Sequence, residues 1–368
     1  MKKILAIVLA LVLALSLASV AGAEAEVKKV GISMPTQSLE RWNRDGQYLD
    51  EQFKLAGYET ILTFSDNDSG RQVNDIQNML ADGVDLLIIA AIDGEALNVV
   101  MNEAAEQDVP VISYDRLILN DAVSYYVSFD NYTVGVLQGQ YVEAALDLAN
   151  AGDKTYNIEF TAGDPADNNA GYFFGGAYDT LKPYIDAGTL NVVSGQTDFT
   201  SVATAQWSTD TALSRAQNIL SSYYADGTQL DVWLCSNDST ALGVAKAITS
   251  DYAGDNAVII TGQDGDIANL ANIVDGIQTM TVYKNVANEA TVTLALATAM
   301  LEGQEIGADL CATFGVDCAF DTESYETSEG NKCPSFLLVP TVVTAENLDY
   351  LVATGLYTMG ADGYLAAN

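Results

Sequence analysis

Histidine does not occur anywhere in the 368 residues. Its absence removes Ser-His-Asp and Cys-His catalysis, imidazole-ligated zinc and any imidazole pH switch. Basic residues are scarce as well: 15 Lys and Arg stand against 50 Asp and Glu. A surface of that sign repels nucleic acid and anionic lipid and disfavours polyanionic substrates, so the expected partners are neutral solutes and other proteins. The phosphate-binding Gly-rich loops of both nucleotide types are missing, and so is Cys-x-x-Cys, so no cofactor is assigned. Asp66-Asn67-Asp68 and Asp264-Gly265-Asp266 lack the ligand spacing of a calcium loop, and no metal is assigned either.

What is present begins with an export signal. Lys2 and Lys3 precede an apolar run that ends at Leu17, and Ala21-Gly22-Ala23 supplies the small-residue cleavage pattern. Residues 1–23 therefore read as a secretory signal peptide, with a periplasmic or otherwise extracytoplasmic, soluble product. Removing them leaves 13 basic residues against 50 acidic ones, a formal charge of −37. The remaining length suggests two domains. Export permits disulfides, and Cys311, Cys318 and Cys333 cluster late in the chain, where one bridge among them is expected. Cys235, inside the apolar run Val232-Trp233-Leu234-Cys235, reads as a buried free thiol.

Hydrophobic patterns alternate along the chain. Val27 to Met34, Tyr58 to Phe64, Val84 to Ala91 and Val109 to Tyr114 read as strands; Arg41 to Leu55, the stripe Val73, Ile76, Leu80, and Glu95 to Glu106 read as helices. The alternation restarts after Asn131, with helices at Val134 to Leu148, Tyr172 to Leu181, Thr209 to Tyr224, Thr240 to Thr249 and Ile267 to Val274. Strands are expected between them at Asn157 to Thr161, Leu190 to Gly195, Leu230 to Cys235, Val258 to Gly262 and Gln278 to Tyr283. Continuously apolar strands between helices argue for α/β architecture with two doubly wound parallel sheets. A helix from Val286 to Leu301, an acid- and Cys-rich segment and a strand from Ser335 complete the chain, and their docking is open from sequence.

Several buried runs stop at polar residues: Asp115 and Arg116, Asn237 and Asp238, Gln263 and Asp264, and Lys284. Each also suits a turn or a helix N-cap. Their recurrence at the carboxyl ends of successive strands instead points to a lined cleft, because open α/β sheets bind ligands beyond that rim. Asp167 and Asn169 follow the strand that ends at Thr161 in the same way. Side-by-side acceptors and donor forks suit a polyhydroxylated ligand, and Trp42 and Trp207 offer indole faces for the C–H face of a pyranose. Paired carboxylates leave a glycosidase as the enzymatic alternative, though neighbouring cations and amides would keep these acids ionised.

Ser33-Met34-Pro35-Thr36, Glu40-Arg41-Trp42, Asp82 to Ile89, Tyr114-Asp115-Arg116, Ser128 to Asn131, Asp167 to Asn169, Ser236-Asn237-Asp238, Gly262-Gln263-Asp264 and Thr279 to Lys284 occur in this order. Together they resemble the periplasmic sugar-binding proteins of ABC importers, in particular the xylose-binding and multiple-sugar-binding branch. The resemblance implies two α/β lobes joined by three crossings near Asn131, Lys284 and Val339, with the sugar in the cleft between them. The lobes would be residues 24–131 with 285–338, and 132–284 with 339–368. It implies sugar binding by Arg41, Trp42, Asp115 and Arg116 from the first lobe, and by Asp167, Asn169, Trp207, Asn237, Asp264 and Lys284 from the second. The implied function is capture of a neutral aldopyranose and delivery by a monomeric receptor, not an enzyme, to an ABC permease and its ATPase. A chemoreceptor or sensor kinase is the alternative partner. The segment Leu310 to Lys332 is longer than the pattern of that family, and Gln206 precedes Trp207 where its members vary.

Overall fold

The computed structural model describes residues 27–327 and 329–368. The expected signal peptide lies outside them. The chain opens with β1 (Lys29–Met34), α1 (Glu40–Leu55), β2 (Glu59–Phe64), α2 (Ser69–Ala81), β3 (Leu86–Ile89), α3 (Asn98–Glu106), β4 (Val111–Tyr114) and β5 (Tyr125–Phe129). There follow α4 (Asn131–Ala145), β6 (Tyr156–Thr161), α5 (Asn168–Asp186), β7 (Leu190–Asn191), α6 (Thr209–Tyr223), β8 (Val232–Cys235), α7 (Asp238–Asp251), β9 (Ile259–Ile260), α8 (Ile267–Val274) and β10 (Thr281–Tyr283). Last come α9 (Val286–Leu301), β11 (Cys318–Asp321), β12 (Ser335–Leu338), β13 (Thr341–Val343), β14 (Tyr357–Met359) and β15 (Leu365–Ala367).

These strands build two principal sheets. One runs β11-β12-β5-β4-β3-β1-β2 and is parallel except for β11. The other runs β7-β6-β8-β9 and is parallel throughout. Because successive side chains of a strand face opposite ways, Val30, Ile32, Leu86, Ile88, Ile112 and Val127 enter one core with Leu49 and Phe53 of α1 and Leu296 of α9. Leu87, Ile89, Val111 and Tyr126 enter the other, against Ile76, Met79 and Leu80 of α2 and Val100 and Met101 of α3. The second sheet is covered on both faces in the same manner.

The structure departs from the sequence reading in several places, the strand expected from Val258 to Gly262, for one, being only Ile259–Ile260. The strand expected from Leu190 to Gly195 is only Leu190–Asn191. The strand expected from Gln278 shortens to β10, which pairs antiparallel with β13 and touches the parallel sheet through a single bridge, Gln263 to Val282. The helix expected from Tyr172 begins at Asn168, and that start places Asp167 at its N-cap. No bridge forms among the late cysteines, and all four are free thiols. The sheet separates Cys333, buried in the core on one face, from Cys311 and Cys318, which pack against the core on the other face with their thiols hydrogen-bonded to each other rather than bridged. Cys235 is the buried free thiol expected. The long segment from Leu310 to Lys332 supplies β11 as the edge strand, and its buried Tyr325 packs edge-on against Tyr126 at 5.0 Å and accepts a hydrogen bond from Asn131 Nδ2 at 3.2 Å.

Helices α4 and α5 approach unusually closely, and small residues are what allow it. A Cβ on Gly135 would lie 2.0 Å from the carbonyl oxygen of Phe173, and one on Gly176 would lie 2.1 Å from that of Tyr132. This contact sets the position of α5, whose first turns carry Asn169 and Phe173. Gly135→Ala should therefore destabilise the protein by about 1–3 kcal/mol, the usual penalty of overpacking, even though alanine is the better helix former. An unchanged thermal midpoint would show that the two helices can part without strain.

Candidate functional site

The carboxyl ends of the strands of both sheets converge on one narrow cleft. Arg41 and Trp42 enter it from the first turn of α1, and Asp115 and Arg116 from just beyond β4. Asp167 enters ahead of α5, Trp207 from the turn at Ala205–Trp207, Asn237 ahead of α7, Asp264 beyond β9 and Lys284 beyond β10. Nine of the ten residues singled out in the sequence thus line a single space. Its empty volume is about 390 Å3 with the mouth included. Asn169 stands behind this lining: its Nδ2 donates to the carbonyl of Asp115 at 2.6 Å, and its Oδ1 accepts from the Tyr126 hydroxyl at 2.9 Å.

N-capping and cleft lining turn out to be compatible. Asp167 Oδ1 accepts from the Asn169 amide at 3.0 Å, while Oδ2 takes the Trp207 indole N–H at 3.2 Å and lies 3.1 Å from Arg116 Nε. Asn237 caps α7 through Thr240 N at 3.0 Å and donates its Nδ2 to Ser239 at the cleft wall.

The charged groups form a nearly dry network. Arg41, 4% exposed, donates Nε to Asp45 at 2.7 Å, one terminal nitrogen to Asp264 at 3.0 Å, and the other to Asp115 at 2.9 Å and Glu289 at 2.8 Å. Lys284 Nζ donates to Asp115 at 2.9 Å and lies 3.6 Å from Asp264. Asp45 and Glu289 were not singled out in the sequence, although each left a signal. Asp45 stands one helical turn from Arg41, and Glu289 is the single charged residue of α9.

The aromatic walls are held by their neighbours. The Arg116 guanidinium lies 4.7 Å from the Trp42 ring centre and that of Arg41 5.4 Å. Trp207 meets Phe173 edge-on at 6.1 Å and rests on Gly163, where a Cβ would come within 2.0 Å of the indole. Gln206 and Trp207 both adopt left-handed backbone, φ 56° and 54°, which non-glycine residues hold only when their surroundings impose it. Here Gln206 N donates to Asp164 Oδ2 at 2.8 Å, and the Trp207 carbonyl accepts from Ser239 Oγ at 3.0 Å. Gln206, noted above as a departure within the family resemblance, forms the turn that presents the indole.

Gln263, one of the strand-end residues noted in the sequence, also borders the cleft, together with Ser239 and Asp266, which sequence reasoning did not select. Among the described residues, Gln263 Oε1 and Asp266 Oδ1 are buried acceptors without a hydrogen-bond partner. Buried acceptors of this kind await a donor, and a hydroxyl can supply one while accepting from a nearby cation.

Two α/β sheets facing one another across a polar, tryptophan-walled cleft define a solute-binding architecture, and the chain belongs to the periplasmic binding proteins: the model of the periplasmic binding protein domain matches residues 30–305. The chain is 36% identical to the multiple sugar-binding periplasmic receptor of Rhizobium radiobacter over 97% of its own length and 98% of that protein. It is 32% identical to the D-xylose-binding periplasmic protein of Escherichia coli, covering 91% and 92% of the two chains. Among solved structures, an ABC transporter solute-binding protein of Clostridium phytofermentans with bound β-D-glucose is 47% identical with a TM-score of 0.84, over 90% of this chain and 98% of that one. Among the described residues no helix is long and apolar enough to cross a membrane.

The cluster carries a pH signature. Burial pushes the carboxyls of Asp45, Asp167, Asp266 and Glu289 above their ordinary values, and burial beside the charge of Asp264 pushes Asp238 up to about 7. A carboxyl that holds its proton more tightly folded than unfolded contributes stability that is complete below its unfolded pKa of about 4 and is lost as pH rises through the folded value. Asp115 runs the other way. Burial opposes its charge, but Arg41 and Lys284 hold the carboxyl well below the usual range, so its contribution is present above about pH 4 and is lost only in stronger acid. The thermal midpoint should fall as pH is raised from about 4 to about 7, and Asp238→Asn should flatten part of that slope. A midpoint that climbed across this window would contradict the assignment.

Proposed function

We propose that this protein is an exported receptor for a neutral aldopyranose of the glucose or xylose type, which it captures between two closing lobes and delivers as a monomer to an ABC permease and its ATPase. The lobes are residues 24–131 with 285–338, and 132–284 with 339–368, and the crossings near Asn131, Lys284 and Val339 form the hinge. The observation that carries the reading is the cleft: two tryptophan walls, fixed cations, and buried acceptors at Gln263 and Asp266 that lack a donor. A pyranose supplies what these groups need, an apolar face for the indoles and hydroxyls that both give and accept. The relatives named above for multiple sugars, for D-xylose and with β-D-glucose bound support the ligand class.

Arg41, Trp42, Asp115 and Arg116 would contact the sugar from the first lobe, and Asp167, Trp207, Asn237, Asp264 and Lys284 from the second. Asn169 acts through Asp115, whose backbone it holds. Closure is favoured because the sugar touches both lobes at once and so binds the closed state better than the open one. Binding without chemistry fits Asp115, since a carboxyl held ionised by Arg41 and Lys284 is a poor proton donor.

Calorimetric titration of residues 24–368, unfolded and refolded to strip carried-over ligand, should show tight one-to-one binding of D-glucose, D-xylose or both from a monosaccharide panel. Silence across the panel, or sustained product release from a disaccharide or aryl glycoside, would overturn the reading. Trp207→Ala should weaken the bound sugar by roughly 1–3 kcal/mol through lost stacking area, and full affinity in that variant would remove Trp207 from the site.

A further inference from the structure

Glu40 and Arg44 do not line the cleft, yet both reach from α1 to the opposite sheet unit. The carboxylate of Glu40 accepts the backbone N–H of Ile267, the first residue of α8, through both oxygens at 3.0 and 3.1 Å. The N-cap residue of that helix, Asp266, makes no side-chain capping bond, so the cap is supplied across the inter-sheet gap by another part of the chain. One turn along α1, Arg44 donates one terminal nitrogen to the Tyr357 hydroxyl and the other to the carbonyl oxygen of Asp264, each at 3.0 Å. Its guanidinium also lies 3.7 Å from Glu40 and 4.0 Å from Asp266. Tyr357 in turn donates to the carbonyl of Gly265 at 2.9 Å.

All of these bonds converge on the loop from Asp264 to Ile267, which presents Asp264 to the cleft. Asp264 sits at φ 105°, a backbone region that an aspartate holds only under external constraint. From within its own unit the loop is held by Asp238, whose Oδ2 accepts from Gly265 N and Asp266 N at 2.9 Å. The second constraint comes from α1 and exists only while the two units are together.

We propose that Glu40 and Arg44 are positioning residues that form an inter-lobe clasp: they fix the Asp264 loop in its ligand-binding form on closure and set the rate at which the cleft reopens. The proposal rests on the sugar-receptor reading. On opening, Ile267 N and the Asp264 carbonyl pass to water and the Asp264 loop loses the restraint that Glu40 and Arg44 supply, so the clasp slows ligand release without touching the ligand. Because it contacts backbone and a tyrosine rather than sugar hydroxyls, it does not discriminate between sugars.

The test is stopped-flow release and association of D-glucose and D-xylose from the full mature protein and its Glu40→Gln and Arg44→Met variants, followed by tryptophan fluorescence. Each variant should release sugar about 3- to 10-fold faster, the range expected for loss of a part-exposed, charge-assisted contact. Association should change less than about twofold, as affinity changes fall mostly on release, and the glucose-to-xylose affinity ratio should be unchanged. Thermal melting without sugar checks folding, and a variant that melts early is judged by its partner substitution. Unaltered release in both variants, or a shifted sugar ratio, would overturn the clasp. If the parent binds neither sugar, the receptor reading is what has failed. The clasp is then judged by small-angle scattering of the sugar-free proteins, where a larger radius of gyration in the variants supports it and identical radii overturn it.

Discussion

One guanidinium ties this protein together. Arg41 meets carboxylates from its own helix, from the end of β4, from the loop after β9 and from α9, so a single side chain joins segments of the chain that are otherwise far apart in sequence. An isolated charge at that depth would be untenable, and so would the four acids without it, because leaving one buried ion uncompensated costs several kcal/mol. Arginine suits the position, since its planar fork offers donors in several directions at once and stays charged under all conditions the protein meets. Lys284 and Arg116 extend the arrangement to Asp115 and Asp167. The acids near the cleft outnumber these cations, which is why burial raises several carboxyl pKa values while Asp115, next to two cations, is driven down.

Such a network also prepares the cleft for a neutral ligand. Its cations are already paired with carboxylates, so a polyol need not neutralise them; it only exchanges hydrogen bonds at the edges of groups whose positions are fixed. Preorganised donors and acceptors give up little rotamer freedom when the ligand arrives. Trp42 is held by the same groups, since Arg41 and Arg116 lie within cation–π range of its ring, and Trp207 is held through Asp167. Charge pairing and aromatic presentation are thus one construction.

The alternation of strands and helices was legible because apolar runs and helical stripes are local patterns, and the strand-end residues were legible because a buried run that stops at Asp, Asn or Lys leaves few places for that side chain. Asp167 and Asn237 show why the choice between a cap and a ligand group looked undecidable: a carboxylate or amide has enough acceptor and donor positions to do both. Asp45 and Glu289 escaped notice because their importance depends on where α1 and α9 come to lie against each other, a long-range fact, even though an acid alone on the apolar helix α9 was a clue. The antiparallel pairing of β10 with β13 was hidden for a similar reason, since the two short strands are separated by α9 and the whole late insertion. Proximity in sequence misled for Cys333, which a sheet separates from the other two, whereas Cys311 and Cys318 do come together, as free thiols.

The late insertion also bears on motion. Tyr325 sits against Tyr126 and accepts from Asn131, at the junction where the chain leaves the first sheet, and Tyr172 of α5 stacks obliquely on Tyr325 at 5.3 Å while donating to the Ser324 carbonyl at 3.3 Å. A hinge needs a few residues whose dihedral angles change while everything else moves as rigid bodies. On the hinge reading proposed above, Asn131 is one of those residues, and Tyr325 is packed and hydrogen-bonded beside it. On that reading the segment from Leu310 to Lys332 bears on opening through Tyr325, whereas Arg41 and Asp264, bonded across the cleft, bear on the closed form. On the proposed hinge, opening and closing would then depend on different parts of the chain, because Tyr325 lies outside the set of residues that line the cleft.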